Sequence, residues 1–302
     1  MKKFVLILSI FLVMGLLQAC QKPQVVTILA PMGSPALALI HQRNNPERYA
    51  VDFVNGADPL VAAFGSKSHD VIIAPTNVGA KLYQGGIEYL FAGTITWGNF
   101  YFVSSTPKTL EELDQLTVVV FGQNQTSDII VRYLFEEFDI NVTIEYVDSV
   151  QTAQALFLAD STKIILTAEP SLSVLQSLRP NIYTIDLQDY YQQASGSTSY
   201  PQAGVFVKKS LSKQVINSVL SDLVLSIDSI NELVSDASDV AVLLGYPYSK
   251  EVLLQAIPRS RLLFVSAMDS KSSLEAYFTL ILGVSPQLIG GVLPNNEFYY
   301  QP

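Results

Sequence analysis

Two histidines and one cysteine in 302 residues leave few side chains suited to metal, redox or nucleophilic chemistry. His41 falls in an apolar helical stretch and His69 in a polar turn ahead of a strand. Neither has a second histidine or a regularly spaced carboxylate to complete a metal set, which usually needs three or four converging ligands. No G-x-S-x-G elbow, P-loop or G-x-G-x-x-G fingerprint occurs, so the local signatures of an acyl-transfer nucleophile or a phosphate cradle are missing. Catalytic groups also meet from distant positions. The missing motifs therefore weigh against an enzyme without excluding one.

The sequence is better supplied with groups that bind. Small polar side chains stand beside predicted helix starts in four loops: Gly33-Ser34, Thr76-Asn77, the Gly122 to Ser127 run with Gln123, Gln125, Thr126 and Ser127, and Glu169 with its neighbours. Asn55, in the turn NGADP, is a further candidate. A helix start leaves N–H groups without intrahelical partners and a partial positive charge, so it can hold an anion or the polar edge of a ligand. Ser, Thr and Asn are also common caps that bind nothing, and both roles stay open for each loop. Glu169, comfortable at a helix start, would accept hydrogen bonds from a donor such as an amine if it faces a ligand. Trp97, alone in TITWGN, has an indole N–H that wants a partner and a face that can stack. It is a candidate ligand wall, or else packing. Tyr190, Tyr191 and Tyr200 would rim a cleft or cover a connection.

These loops need elements to hold them. Val25–Ala30, Val51–Val54 and Asp70–Ala74 are apolar, β-rich runs, each followed by a turn and a helical pattern. Three such units in succession predict a layered parallel sheet covered by helices, and binding loops in open α/β sheets lie at the carboxyl ends of the strands. Tyr89–Thr96 and Phe100–Val103 read as strands on either side of WGN. A second set follows, with strands at Val118–Phe121, Val142–Tyr146, Lys163–Thr167 and Ile182–Leu187. Asp189–Pro201 reads as a polar surface connection, Ala203–Val207 as a returning strand, and the remainder is mostly helical. Such a tail cannot build another sheet and is expected to complete the first domain.

Cys20 follows Lys2, Lys3 and an apolar or small run over Phe4–Leu17. A charged start and a core of this length describe an export signal rather than a membrane span, which needs about 20 apolar residues. Leu17-Gln18-Ala19-Cys20 resembles the lipobox of bacterial lipoproteins, which implies cleavage after Ala19 and a lipid anchor on Cys20. The alternative is a spare cysteine within an ordinary signal. Loss of residues 1–19 leaves 283 residues and takes the formal charge from −9 to −11. An acidic chain without a Lys/Arg cluster has no footprint for phosphate backbones, so nucleic acid is not expected as a partner.

The lipobox LLQAC, the opening TILAPMGSPALAL, and the segments DVIIAPTNVGAKLYQGG, FGQNQTSDIIVRYLFEEF, LTAEPSLSVL and AGVFVKKS, in that order, resemble substrate-binding lipoproteins of ABC importers. The likeness is nearer to the nitrate, sulfonate and taurine type, which includes binders of pyrimidine thiamine precursors. It implies an α/β, two-lobe, periplasmic-binding-protein-like type II fold with a ligand cleft between the lobes. Residues 25–104 and 203–302 would form lobe 1 and residues 105–202 lobe 2, after a signal peptide (1–19) and a lipidated tether (20–24). Chain crossings would fall near Ser104–Pro107 and Tyr200–Ala203. The implied partners are a small polar or heterocyclic ligand, an ABC permease and, through the anchor, the outer face of a membrane. A monomer without cofactor is expected. The family's binding positions match Gly33, Ser34, Thr76, Asn77, Gln123 to Ser127 and Glu169. No arginine falls in these loops, which disfavours a sulfonate, and a heterocycle stacked on Trp97 is the alternative. An enzyme acting on a thiamine-precursor-like molecule and a surface adhesion lipoprotein are the rival functions.

Overall fold

Runs of apolar residues too dense for a half-exposed strand define the interior of both halves of the chain. The computed structural model describes residues 25–302. The expected signal peptide, tether and lipidation of Cys20 lie outside them. In chain order the strands are β1 (Val26–Pro31), β2 (Tyr49–Val54), β3 (Val71–Pro75), β4 (Tyr89–Trp97), β5 (Phe100–Ser104), β6 (Thr117–Phe121), β7 (Thr143–Val147), β8 (Ile164–Ala168), β9 (Tyr183–Asp186), β10 (Pro201–Lys208) and β11 (Leu262–Ser266). The helices are α1 (Ser34–Leu37), α2 (Ile40–Arg43), α3 (Asp58–Ser66), α4 (Thr76–Gln84), α5 (Thr126–Glu137), α6 (Val150–Ala159), α7 (Ser171–Leu178), α8 (Leu187–Ser195), α9 (Lys213–Glu232), α10 (Val234–Leu243), α11 (Lys250–Arg259) and α12 (Ala267–Val284).

The strands form two sheets, ordered β11-β4-β10-β3-β1-β2 and β7-β6-β8-β5-β9. In each, three parallel strands (β2, β1, β3 and β7, β6, β8) lie next to one antiparallel strand, β10 or β5, that has just arrived from the other lobe. The sheets are therefore mixed rather than wholly parallel, because a strand entering by a short crossing runs against its neighbour. The helices α9, α10 and α11 cover the first sheet: Ile216, Leu223, Ile227, Ala241 and Leu253 share a core with Ile28, Ile73 and Val205.

The first crossing differs from the expectation. Phe100–Ser104 pairs with β8 and β9, so lobe 1 does not run to residue 104 and the chain changes lobes at Gly98–Asn99 instead of near Ser104–Pro107. The reason is local: the N–H of Gly98 bonds Tyr200 O (3.1 Å) and that of Asn99 bonds Gln202 Oε1 (3.1 Å). The two crossings thus clasp each other, and the chain runs on where a hairpin would turn. Asp189–Pro201 also differs, since its first part continues a helix. Asp186 caps α8 by accepting from Gln188 N (2.9 Å), Leu187 and Tyr191 bury one face, and Gly196 ends it in the left-handed region. The helical pattern expected after the first strand is two short helices, α1 and α2.

Gly65 sits in α3 with no atom within 4 Å of a built Cβ and without a positive φ. Gly65→Ala should therefore stabilise the protein by about 0.5–1 kcal/mol, the helical penalty of glycine, as a raised urea midpoint with unchanged slope.

Candidate functional site

The carboxyl ends of β1, β6 and β8 point their loops at one another across the gap between lobes. β1 ends in Pro31, and Met32-Gly33 turns the chain into α1. Gly33 holds φ +136°, a conformation that favours glycine. Ser34 lies almost fully buried; its Oγ donates to Glu169 O (3.0 Å) in the opposite lobe and accepts from Asn99 Nδ2 (2.8 Å) at the crossing. From the other side, Phe121 ends β6 and Gln125 precedes α5, while Ala168-Glu169 leaves β8. Between them lies a cavity of about 130 Å³ lined by Met32, Gly33, Ser34, Phe100, Phe121, Gln125, Thr126, Ser127, Val150, Ala168, Glu169 and Gln202, among others. A neighbouring hollow of about 110 Å³ shares Pro31, Met32, Pro75, Phe121, Gln125 and Val150 and adds Asn55 and Asp148.

The lobes touch across this space. Thr126 Oγ1 donates to Asn77 Oδ1 (3.3 Å), and Asn77 Nδ2 donates to Asn124 O (3.4 Å). On the other flank Arg259 donates to Gln176 Oε1 (2.6 Å), and Arg261 pairs with Asp186 at 3.3 Å. Behind the cavity Tyr200 is fully buried, with Phe100 and Tyr277 stacked at 6.0 Å and Tyr191 edge-on at 4.9 Å. Its hydroxyl donates to Gln188 Oε1 (2.8 Å).

Among the described residues Glu169 is the one charged residue at the 130 Å³ cavity, and its side chain is closed off from that space. Its side chain is 0% exposed. Oε2 accepts from Ser173 N (3.2 Å), whereas Oε1 has no hydrogen-bond partner. Arg259 stands 3.8 Å from Oε1, too far for a hydrogen bond. Burial pushes the carboxyl up to about 7, against the weaker opposing pull of the Ser173 hydroxyl, the Ser173 N–H and Arg259.

The expected site residues divide. Gly33, Ser34, Gln125, Thr126, Ser127 and Glu169 meet at the cavity, and Asn55 lines its neighbour. Asn77 is buried in the contact between lobes. Thr76 is buried elsewhere, its hydroxyl donating to Pro201 O (2.7 Å) and tying α4 to β10. Gln123 is exposed and lines neither space. Trp97 is not a wall of this cleft. Edge strand β11 is bulged beside it, and the indole N–H donates to the carbonyl of Leu263 at 3.0 Å. The ring lines a separate hollow of about 700 Å³ with Ser197–Ser199, Arg261 and Leu263. Tyr190, Tyr191 and Tyr200 do not rim the cleft either, because the last two are buried at the crossing and Tyr190 accepts from Leu110 N within lobe 2. The anion-holding character implied for the Gln123–Ser127 loop is also reduced. Asp128 already occupies that helix start, accepting from Asn124 N (2.8 Å) and pairing with Arg132 (3.0 Å), and Ser127 Oγ donates to Phe121 O (2.7 Å).

Phe100, Phe121 and Gln202 line the cavity without having been singled out in the sequence. Phe121, the last residue of an apolar strand, carried a usable signal. Phe100 and Gln202 did not, because their place depends on where the chain changes lobes.

No family model matches the chain, and no curated protein matches it. Solved structures do match. An ABC transporter from Parabacteroides distasonis is 21% identical, with 92% of this chain and 99% of that one aligned at a TM-score of 0.81. The fold is the two-lobe periplasmic-binding-protein type II fold. A ligand-binding component of an ABC-type import system from Staphylococcus aureus, with zinc bound, shares it at 15% identity, 92% and 97% coverage and a TM-score of 0.73. So does the periplasmic aliphatic sulphonate binding protein of Escherichia coli, at 15% identity, 93% coverage of both chains and a TM-score of 0.70. No helix among the described residues is long and apolar enough to cross a membrane.

Proposed function

We propose that the chain is the solute receptor of an ABC importer, performs no chemistry itself, and delivers a small molecule to a membrane permease. The feature that supports this most is the cavity enclosed between two lobes, with both chain crossings clasped behind it and hydrogen bonds between lobes on either flank. A site built this way gains ligand contacts only when the lobes meet, so a ligand that touches both stabilises the closed arrangement through its differential affinity. The chain's similarity to importer components of the same fold agrees with this role. In this proposal β5–β9 and their helices form one lobe and the remaining described elements the other. Gly33, Ser34, Gln125, Thr126, Ser127 and Glu169 contact the solute. The receptor acts as a monomer outside the membrane, held there by lipid on Cys20.

Lobe movement tests the proposal. Asp58 and Gln151 are exposed and belong to opposite lobes; Gln151 lines the 110 Å³ hollow, and Asp58 lies in the chain between Gly56 and Leu60, which line it from the other side. Spin labels on Asp58→Cys and Gln151→Cys in a Cys20→Ser background should show a short, narrow distance in natively purified protein. Unfolding and refolding without solute should lengthen and broaden it. Identical distributions in the two preparations would remove the receptor proposal.

A further inference from the structure

We infer that the cleft takes a small uncharged molecule with an apolar, ring-sized body and one amide-like edge, a donor beside an acceptor, and that the side-chain amide of Gln125 reads that edge. This deepens the receptor proposal and rests on it.

Most polar side chains at the cavity already have partners within the protein. Ser34 spends its O–H on Glu169 O (3.0 Å), Thr126 on Asn77 Oδ1 (3.3 Å) and Ser127 on Phe121 O (2.7 Å). Gln202 is engaged with the crossing, its Oε1 accepting from Asn99 N (3.1 Å) and its Nε2 donating to Asn99 Oδ1 (3.3 Å). The Glu169 carboxylate is closed off. Gln125 differs from all of these. It lines both hollows and is half-buried, its side chain makes no capping bond to α5 or any other hydrogen bond among the described residues, and its amide atoms remain accessible. A glutamine amide presents donors and an acceptor in one plane, which an acceptor-and-donor edge on a ligand matches. Charge narrows the class further. Among the described residues no lysine or arginine lines either hollow, so a sulfonate, nitrate or carboxylate would leave water without a counter-charge, which is costly. Where loops could offer N–H groups to an anion, the lining has Pro31, Pro35 and Pro75, and proline has no N–H. The start of α5 already holds Asp128. A cation finds no accessible carboxylate in the 130 Å³ cavity, and Asp148, at the neighbouring hollow, is exposed to water. A wholly apolar molecule would cover the Gln125 amide without pairing it, which costs more than a made bond returns. Phe100 and Phe121, edge-on at 5.8 Å, with Met32 and Val150 supply the apolar cover for the rest of the ligand.

Four single-ring probes separate the possibilities: 2-pyridone, which carries an N–H beside a C=O; N-methyl-2-pyridone, which lacks the N–H; benzoate; and benzylammonium. Each is titrated by NMR into refolded protein at neutral pH. The unmethylated pyridone should bind more tightly than each of the others by about tenfold, the scale of one hydrogen bond left unmade at a buried group. Gln125→Leu should remove its advantage over the N-methyl form. Gln125→Glu should turn the preference toward benzylammonium, and urea unfolding verifies that both variants are folded. A preference for benzoate, an advantage of 2-pyridone that survives in Gln125→Leu, or no binding of any probe would overturn the assignment. The lobe distances above do not depend on which class of molecule the cleft takes. A failure here with the two-distance result intact therefore rejects the ligand class alone, and failure of both rejects the receptor.

Discussion

Glu169→Gln should make the ligand-free protein more stable at pH 8. The unfolded chain titrates Glu169 near its ordinary value of 4.5, whereas burial holds the folded carboxyl at about 7. Between those values the folded protein keeps a proton that the unfolded chain has released. Stability therefore falls as pH rises through that window, and the loss is complete once pH is well above 7. A displacement of this size corresponds to about 3 kcal/mol at full ionisation, or a melting temperature higher in the glutamine variant by on the order of 5 °C. The gap should close as pH falls toward 4.5. Thermal unfolding of both proteins from pH 4.5 to 8 checks this. A glutamine variant less stable at pH 8 would mean that Glu169 and Arg259 form a supporting ion pair, and that the carboxylate is there for the fold.

Gly98→Ala should damage the crossing and, through it, binding. A Cβ on Gly98 would lie 2.5 Å from Cε1 and Cζ of Tyr200. Tyr200 cannot step aside, because Phe100 and Tyr277 stack against it and Gln188 holds its hydroxyl. The strain must pass to the backbone, where the Gly98 N–H is bonded to Tyr200 O and to Ser199 Oγ (3.1 Å each). Overpacking of this kind costs about 1–3 kcal/mol. Because the clasp sets how the lobes approach, ligand affinity should fall by a further factor of about ten, on the scale of 1.4 kcal/mol per decade. Urea unfolding and calorimetry on the same preparation separate the two losses. Unchanged stability would show that the two crossings move apart freely, and the clasp would then have no part in closure.

The layered core was legible in the sequence because its strands are apolar nearly throughout: VTILAP, VIIAP and IILTA bury almost every position. Their turns were legible for the same reason, which places Gly33, Ser34, Thr126, Ser127 and Glu169 at strand ends from sequence alone. The place of the first exchange between lobes was not legible. Phe100–Ser104 is as apolar as the strand before it, and nothing local says that it joins another sheet. Leu187–Ser195 was hidden by its polar face, although Asp186, Leu187, Tyr191 and Gly196 carried a cap, a stripe and a stop. Trp97 misled because an indole N–H that needs a partner looks the same whether a ligand or, as here, Leu263 O satisfies it. Thr76 likewise spends its hydroxyl on Pro201, 125 residues away in sequence, a partner that only the assembled fold supplies.

The most direct measurement is mass spectrometry of what natively purified protein releases on denaturation, together with its melting temperature before and after refolding. If the space between the lobes is a solute site, one small molecule should be released per chain, and the refolded protein should melt lower until that molecule is returned, because binding to the folded state stabilises it by mass action. A native preparation that releases nothing and melts at the same temperature after refolding would contradict the account.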